Sequence, residues 1–464
     1  MPSRQDQLHS YQFMIQRMVA ALVMRETDPA RSPFRRAAGA TLASVLSAAI
    51  VLGGVVVYGA IVGGGGGDWR DATAVIVEKE SGARYVYRDE KLHPVPNYAS
   101  ALLIVAAQRP KTVLVSRRSI EGVPRGVPLG IADAPESLPE ADRLSAQPWT
   151  VCSMSSVENG QPAVRSAVLV GAGVDDGRVL NDGALLARHP DGSLHLIWHN
   201  HRHLVRDRAL VLPALTWTSQ RPVQVAPALL NTLPAGGDLA RVPIAGQGEQ
   251  SARVDGARIG EVFLVESQGG GRQYAVAKRD GLAGVTEVQA NLLLAAAGQD
   301  EPTPMSQGRF AAVPKLPDLV PADPAAPPAN VPTLVPADGT AVCARIVDDG
   351  GVAQIRVGVV PPDVTGAART AGRSATGGAL ADYVVVAPGR GAVVEAAAAP
   401  GATGGAISVV TDLGRRYPVS GSEVLAVLGY GTVEPLRLPA NLVALVPAGV
   451  ALDPQTAKAP VSRR

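Results

Sequence analysis

Five of the seven histidines lie close together in the sequence, at His189, His195, His199, His201 and His203. If the last three belonged to one strand, they would share one face of it, an arrangement that could hold a metal ion. The alternative is a solvated strand or turn, because polar and basic residues interleave and no carboxylate or cysteine completes a ligand set. The sequence favours this alternative, and we expect no metal.

Other patterns that could carry chemistry are incomplete. The glycine-rich segment Gly171 to Gly177 lacks the GxxxxGK[ST] pattern of a phosphate-binding loop, so we interpret it as a β-turn. No GxSxG, HExxH or paired-acid arrangement occurs. The sequence therefore predicts no catalytic residue and no cofactor.

Two short basic segments, Gly389-Arg390-Gly391 and Arg415-Arg416, stand out in a chain of 464 residues whose net charge is only +2. A contact with phosphate or a cell-wall polymer is one interpretation, and arginines that flank turns and face water are the other, which we favour. The low net charge gives no electrostatic basis for binding nucleic acid.

The stretch Ala37 to Val62 determines where the remaining residues lie. No Asp, Glu, Lys or Arg occurs from Ala37 to Gly67. A helix over 37–62 would be roughly 39 Å long, enough to cross a hydrocarbon core with some tilt. A cleaved signal peptide would have shorter apolar and basic regions. We therefore predict one uncleaved transmembrane helix.

The flanks of this helix predict its orientation. Residues 1–36 carry six arginines against three acidic residues, and Arg35 and Arg36 are placed at the membrane interface. The positive-inside bias puts the N-terminus in the cytoplasm and the bulk of the chain outside. The predicted location is the inner (plasma) membrane, with the lipid bilayer around a single span.

A cytoplasmic amphipathic helix is predicted over Ser3 to Glu26. Apolar residues recur at spacings of three and four, which places them on one stripe. The stripe must be covered by lipid or protein, and we favour protein because the polar face is not markedly cationic. The predicted partner-contact residues are Tyr11, Ile15, Met18 and Leu22.

The only two cysteines, Cys152 and Cys343, both fall in the region placed outside the cytoplasm. Oxidation is permitted there, so we predict one structural disulfide between them. A catalytic cysteine is disfavoured, because neither residue has a motif around it.

An internal repeat predicts the architecture outside the membrane. Four segments share an apolar strand, a turn with glycine (at 82, 192, 271 and 414), a ring three residues later and a further apolar segment. Each predicts a small α+β unit. In the fourth copy, Ile407 to Val410 is taken as the first strand and Tyr417 as the ring.

Two inserts lie between the first and second and between the third and fourth copies, and each contains one cysteine. We infer that they form one central β-rich domain with one disulfide and pseudo-twofold symmetry. The predicted divisions are 1–36 (cytoplasmic helix and basic segment), 37–62 (span), 63–67 (glycine linker), 68–110 (repeat 1), 111–183 (first insert of the central domain), 184–240 (repeat 2), 241–298 (repeat 3), 299–340 (Pro/Ala-rich linker), 341–404 (second insert of the central domain), 405–432 (repeat 4) and 433–464 (extended tail).

The chain resembles EccB, the membrane component of type VII (ESX) secretion systems of actinobacteria. The residues that carry the resemblance are the head segment Tyr11 to Met18, the stretch Pro33 to Arg36 before the span, the block Gly377 to Val386 with Pro388 to Gly391, and the cysteine pair. The resemblance implies four repeat domains around a disulfide-bonded central domain. It also implies a structural role in the inner-membrane translocon.

The same resemblance implies partners: EccC, EccD, EccE, the mycosin protease and neighbouring copies of the chain. An ATPase activity is attributed to the family, but no Walker motif occurs here and an outer domain would meet little ATP, so we expect no enzyme. Two alternatives to a scaffold remain, a cell-wall-binding module and an ATP hydrolase. Binding to purified peptidoglycan, or ATP hydrolysis by the purified protein, would support them.

Overall fold

The computed structural model describes residues 4–25, 33–63, 69–108, 110–145, 148–158, 160–267, 269–337 and 340–461. Two long helices come first, α1 (Arg4–Met24) and α2 (Pro33–Gly63). Within α2, Gly39–Val56 has a mean hydropathy of 2.0 and none of it is buried in the protein. In the described part of the chain, α2 is the one helix long and apolar enough to cross a membrane.

Some of the predicted membrane features lie outside the described residues. Arg35 and Arg36 are in the first turn of α2, but their side chains are not described. Residues 64–67 of the predicted glycine linker and both ends of the predicted N-terminal helix, Ser3 and Glu26, are also outside. The N-terminal helix and the mixed α+β class are confirmed.

Twenty-two strands and nine further helices follow within the described residues, and they form four units and one central sheet. Unit 1 contains β1 (Ala74–Glu78), β2 (Arg84–Arg88), β3 (Lys91–Val95), α3 (Tyr98–Val105), β4 (Lys111–Val115) and α4 (Arg117–Ile120). After a 3-10 turn (Ala141–Arg143), the central sheet begins with β5 (Trp149–Glu158), β6 (Gln161–Leu169) and β7 (Arg178–Val179).

Unit 2 comes next along the chain, with β8 (Leu185–Arg188), β9 (Leu194–Trp198), β10 (His201–Leu204), α5 (Arg208–Ala214), β11 (Val223–Gln224) and α6 (Pro227–Thr232). Unit 3 contains β12 (Val262–Glu266), β13 (Arg272–Lys278), β14 (Gly281–Val285), α7 (Glu287–Ala297), β15 (Thr303–Met305) and α8 (Gln307–Ala312). The central sheet resumes with β16 (Ala341–Ile346), β17 (Val352–Val359) and β18 (Tyr383–Val385). Unit 4 and the end of the chain contain β19 (Ala392–Ala397), β20 (Ala406–Val410), β21 (Arg416–Pro418), α9 (Glu423–Val427), β22 (Leu436–Pro439), α10 (Ala440–Val443) and α11 (Pro454–Ala457).

Each unit has the same sheet, in which the spatial order of its own four strands is third, second, first, fourth. The first three strands are consecutive and antiparallel where they pair, whereas the fourth is parallel to the first. A parallel neighbour requires a crossover connection, and a helix provides it in every unit. Local sequence signals start these helices: Asn97 accepts a hydrogen bond from the N–H of Ser100, and Thr286 and Gln289 form a capping box.

A strap follows the last helix of each unit and adds one more strand-like contact beside the third strand. We use the name strap for residues 123–129, 233–239, 313–319 and 446–452, which share the pattern [VL]-P-x-[GL]-x-x-L. In unit 2, for example, the N–H of Arg202 donates to the carbonyl of Pro234 (3.0 Å), and the N–H of Gly236 donates to the carbonyl of Arg202 (2.9 Å). The equivalent pairs occur in the other three units.

A ring packs on a strap glycine in three of the units. His93, His203 and Tyr417 are buried on the third strands of units 1, 2 and 4. A Cβ atom on the facing glycine (Gly126, Gly236 or Gly449) would overlap the ring. In unit 3 the two sizes are exchanged: the residue on the third strand is small, Ala283, and the strap residue that faces it is large, Leu316. The space between strand and strap is therefore filled in every unit.

The central sheet has six strands in the order β18-β6-β5-β16-β17-β7, so both inserts contribute three strands. Its largest core contains Trp149, which is fully buried, together with apolar residues of units 2 and 4. A second core joins helices of units 1 and 4, and a third joins α5 of unit 2 to α7 of unit 3. The central sheet thus lies between two pairs of units.

The strands show where the expected divisions need correction. β4 pairs with β1, and β15 with β12, so the boundaries expected at 110 and 298 cut through sheets. Ile407 to Val410 belongs to β20, the second strand of unit 4, and not to its first strand, which is β19. The glycine-and-ring pattern marks a tight hairpin without indicating which hairpin of the unit it is.

The two segments expected to be extended also contain regular structure. β15 and α8 lie within 299–340, and β22, α10 and α11 lie within 433–464. Proline led to the expectation of a linker there. In the structure, proline instead occupies short strands, the strap positions and the first turn of α11, where its missing N–H is tolerated.

Candidate functional site

The two cysteines form a disulfide within the central sheet. Cys152 on β5 and Cys343 on β16 are directly opposite each other in neighbouring antiparallel strands, with Cα atoms 4.0 Å apart. Both are buried. The bond therefore joins the two inserts, which are separated by 191 residues in sequence.

The histidines do not converge on a common point. His199 lies with Asn200 in the tight turn between β9 and β10, and both have positive φ angles (45° and 62°). His199 is therefore not on a strand face with His201 and His203, which corrects the arrangement considered above. Its Nε2 is 3.1 Å from Asp182, whereas His203 Nδ1 is 2.8 Å from the carbonyl oxygen of Gly237. Burial lowers the pKa of His203.

Within the described residues, no group of three or more histidine, cysteine, aspartate or glutamate side chains is placed to hold a metal ion. His189 and His195 have their own local partners. His189 Nδ1 is 2.9 Å from Asp191, and His195 Nε2 is 3.2 Å from the hydroxyl of Ser193. Burial, together with the charge of Arg202, lowers the pKa of His195.

The glycine-rich segment connects β6 to β7. Its carbonyl oxygens at Asp175, Asp176 and Gly177 surround the guanidinium group of Arg356, at 2.9, 3.0 and 3.4 Å. Gly177 has φ +71°, a conformation that glycine adopts without strain. The loop thus binds a cation of its own chain, whereas a phosphate loop would present N–H groups.

The two basic segments flank turns, but they differ in burial. Arg390 and Arg415 are exposed. Arg416 is half-buried on β21, and its Nε donates to the carbonyl of Val446 (3.0 Å). Burial lowers the pKa of Arg416. Arg416 therefore holds the strap of unit 4, a structural role that the sequence did not suggest.

A charge cluster at the edge of the central sheet was not anticipated from the sequence. Arg165 on β6 bonds to Glu158 and, at 2.9 Å, to Asp382, and Arg369 lies 3.1 Å from Glu158. The hydrogen bond from Arg165 lowers the pKa of Glu158 and raises that of Arg165. Asp382 also accepts from the N–H and hydroxyl of Ser166, both at 2.8 Å.

The signal for this cluster was present in the sequence. Asp382 is the single charged residue in the apolar run Leu380 to Val386, and an acid placed in such a run needs a buried partner. A groove of about 660 Å³ opens beside the cluster. It is lined by the outer end of the β5–β6 hairpin, residues 372–382, and the start of α6.

The apolar stripe of α1 is exposed. Tyr11, Ile15, Met18 and Leu22 are all exposed, with Leu22 at 78% and Tyr11 at 64%. The structure therefore leaves this surface available, and whether a partner covers it stays a prediction.

Comparisons with known proteins agree along the whole chain. The family model described as "Type VII secretion system ESX-1, transport TM domain B" matches residues 1–461. The "ESX-3 secretion system ATPase EccB3" of Mycolicibacterium smegmatis is 29% identical over 469 residues, covering 96% of this chain and 88% of the relative. The "ESX-5 secretion system ATPase EccB5" of Mycobacterium tuberculosis is 29% identical over 482 residues, covering 97% and 92%.

Solved structures give the same result. A chain of the intact ESX-5 inner membrane complex is 25% identical with a TM-score of 0.68, covering all of this chain and 96% of that one. The EccB3 dimer from the ESX-3 core complex is 26% identical with a TM-score of 0.64, covering 83% of this chain and 100% of that one. The family model spans the N-terminal helix, the candidate span and all four units, so this chain belongs to the EccB family of type VII secretion proteins.

Proposed function

We propose that this protein is a structural scaffold subunit of a type VII secretion inner-membrane complex and functions in protein export. The observation that carries the proposal is the similarity over the full chain to a subunit of an intact ESX-5 inner membrane complex. It includes the N-terminal helices as well as the units. A scaffold of this kind requires surfaces on both sides of the membrane. Helix α1 precedes the candidate span α2 and the four units follow it, so the chain offers a surface on each side.

The orientation belongs to the proposal. α2 is the single span, α1 is cytoplasmic, and the units are periplasmic, because arginines are concentrated before α2. Arg35 and Arg36 are assigned to the membrane interface. Tyr11, Ile15, Met18 and Leu22 are assigned to a protein partner, since a stripe exposed to this extent would otherwise face water.

The proposed partners are EccC, EccD, EccE and the mycosin protease, together with further copies of the chain. Self-association is supported by the related EccB3 dimer. We also propose that the four units are repeat domains related in pairs by an approximate twofold axis. Two observations support the axis. Helix α3 of unit 1 contacts α9 of unit 4, as α5 of unit 2 contacts α7 of unit 3. A parallel bridge also forms directly before the first strand of unit 4 (Leu144 to Gly391) and directly before that of unit 2 (Ala184 to Leu334).

An ATP hydrolase is the second candidate, because the relatives are named as ATPases. The sequence has no Walker pattern, and the glycine-rich segment Gly171 to Gly177 surrounds Arg356 with carbonyl oxygens. We therefore propose that the chain has no ATPase activity of its own. The full chain, purified in detergent and freed of the other subunits, should not release phosphate from ATP above a mock preparation. Release that follows the protein through successive columns would contradict the proposal.

Export measured in cells tests the scaffold role. In a strain without the chromosomal gene, the wild-type chain should restore secretion of the substrates of the system. The double variant Ile15→Arg/Met18→Arg should not restore secretion, because it places two charges on the apolar stripe of α1. Gln16→Arg, on the opposite side of the same helix, is the matched control and should restore export. Full export by the double variant at equal protein level would remove the α1 contact from the proposal.

A further inference from the structure

The outer edge of the central sheet is only partly covered. β6 has nine residues and pairs with β5 along its whole length. On its other side, β18 pairs with it only at Ala167 to Leu169. The remaining stretch of the edge, Gln161 to Arg165, spans about 16 Å. Proteins normally cover such edges, because they attract further strands.

Asp382 ends the pairing on this side. Its carboxylate accepts the N–H of Ser166, which therefore points away from β5. Successive residues of an antiparallel strand alternate in direction, so the N–H and carbonyl of Val164 point outward as well. Pro162, two residues earlier, presents an outward carbonyl and no N–H. The uncovered edge thus offers one donor and two acceptors in the spacing of a β-ladder.

The groove of about 660 Å³ runs beside this edge. Its far wall is formed by residues 372–380, which turn back on themselves through the bridge between Arg373 and Ala379. Gln224 and Pro227 close it on the side of unit 2. Val164 lines the groove, whose volume leaves space for another polypeptide segment.

The charges around the groove favour an acidic occupant. Arg165 and Arg369 are neutralised by Glu158 and Asp382. Arg373 is exposed, and its hydrogen bond is to the carbonyl of Gly377 at 3.3 Å. No salt bridge to Arg373 is found in the described part of the chain, so one positive charge at the groove has no carboxylate partner.

We propose that this groove binds an extended segment of a partner protein, which adds a strand to the outer edge of β6 and places an acidic side chain near Arg373. A peptide fits better than a glycan, because the edge presents alternating N–H and carbonyl groups at the repeat of a β-strand. The proposal does not depend on the scaffold role. A failed binding experiment would leave that role untouched.

Fluorescence anisotropy with a defined peptide tests the proposal. The probe is the labelled hexapeptide Thr-Val-Asp-Val-Thr-Val, added to the full chain in detergent. We expect saturable binding below about 1 mM, the weak end of peptide recognition. A probe whose backbone N–H groups are methylated along one edge should bind at least about tenfold more weakly. Replacing the aspartate of the probe by lysine should weaken binding about fivefold.

Two protein variants locate the binding. Arg373→Glu should weaken binding of the aspartate probe about fivefold, whereas Arg390→Glu, an exposed arginine in a distant turn, should change it less than twofold. Val164→Pro removes the outward N–H without touching the β5 ladder and should weaken binding about tenfold. If Val164→Pro does not fold, Arg373→Glu and the methylated probe still decide the question.

Three results would overturn the proposal. One is the absence of saturable binding, and another is equal binding of the parent and methylated probes. The third is dissociation of oligomers of the chain by the probe together with loss of self-association in Arg373→Glu, because the occupant would then be a second copy and not a different protein.

Discussion

At the scale of single residues, Asp382 organises the edge of the central sheet. It receives Arg165 and two hydrogen bonds from Ser166, and its side chain is only 17% exposed. A charge in such a position is costly unless every partner is in place. Asp382 thus attaches to β6 the block that carries part of the resemblance to the EccB family.

Replacing Asp382 by asparagine should be strongly destabilising. The amide keeps the shape of the side chain but removes the charge that pairs with Arg165, and its NH₂ group would face donors. We expect the free energy of unfolding to fall by about 1–3 kcal/mol. Urea denaturation of the full chain in detergent, followed by tryptophan fluorescence, measures this because Trp149 is buried in the central core.

The control for this experiment is an exposed ion pair. Arg279 and Glu249 are 62% and 59% exposed, so Glu249→Gln should cost less than about 0.5 kcal/mol. Equal losses for the two variants would contradict the importance assigned to Asp382.

His203 should make stability depend on pH. Its ordinary pKa is 6.5, and burial lowers it in the folded chain. Well above pH 6.5 neither state binds the proton, so this group does not change the free energy of unfolding. As pH falls below 6.5, the unfolded chain binds a proton that the folded chain does not, and stability is lost by at most about 1.4 kcal/mol per pH unit.

His203→Gln should therefore flatten the decline of stability between about pH 6.5 and 5, although the variant itself starts from lower stability. Urea denaturation at a series of pH values provides the slope. An unchanged slope would mean that His203 does not contribute. His195, whose pKa is also lowered by burial, accounts for some of the decline that remains.

At the scale of elements, the strap is a feature that the sequence contained and that the predicted repeat did not include. The predicted repeat was aligned on a glycine three residues before a ring, which marks hairpins, so the prediction for unit 4 was shifted by one strand. The pattern [VL]-P-x-[GL]-x-x-L occurs once per unit and would have set the alignment. The reversal at Ala283 and Leu316 could not be predicted, because it depends on which residues face each other in space.

Glycine at the strap should be indispensable where it faces a ring. Gly126→Ala would overlap the ring of His93 and should destabilise the chain by about 1–3 kcal/mol. Gly308→Ala, in α8, meets no atom within 4 Å and should be neutral or stabilising by up to about 1 kcal/mol. Thermal unfolding of the two variants provides the comparison.

A double variant separates the overlap from other causes. Combining Gly126→Ala with His93→Ala removes the ring that the new methyl group meets, so the two costs should not add. Simple additivity of the two losses would show that ring and glycine do not interact as described.

The disulfide between β5 and β16 should stabilise the chain by about 5 kcal/mol on the chain-entropy model, because it closes a loop of nearly two hundred residues. The variant Cys152→Ala/Cys343→Ala removes both thiols and should unfold at much lower urea concentration than the oxidised wild type. A shift corresponding to less than about 1 kcal/mol would mean that the sheet alone holds the two inserts together.

At the scale of the whole molecule, the order of the elements was easier to predict from the sequence than the contacts of single residues. A long stretch without charged residues identified α2, and the regular spacing of apolar residues identified α1. Both signals extend over many residues, so they do not depend on any single contact. The meeting of the two inserts followed from the single pair of cysteines. The sequence marks Asp382 as a residue that needs a partner, but the identity of that partner and the groove beside β6 could not be foreseen, since they join residues more than two hundred positions apart.

As the proposed scaffold subunit, this chain joins partners on both sides of the membrane. The most direct test is mild detergent extraction of the full chain at its native level, followed by determination of the mass and composition of the particle. We expect one large particle that contains several copies of the chain together with a multi-span subunit and an ATPase subunit. Extraction of monomers alone, without such partners, would contradict it.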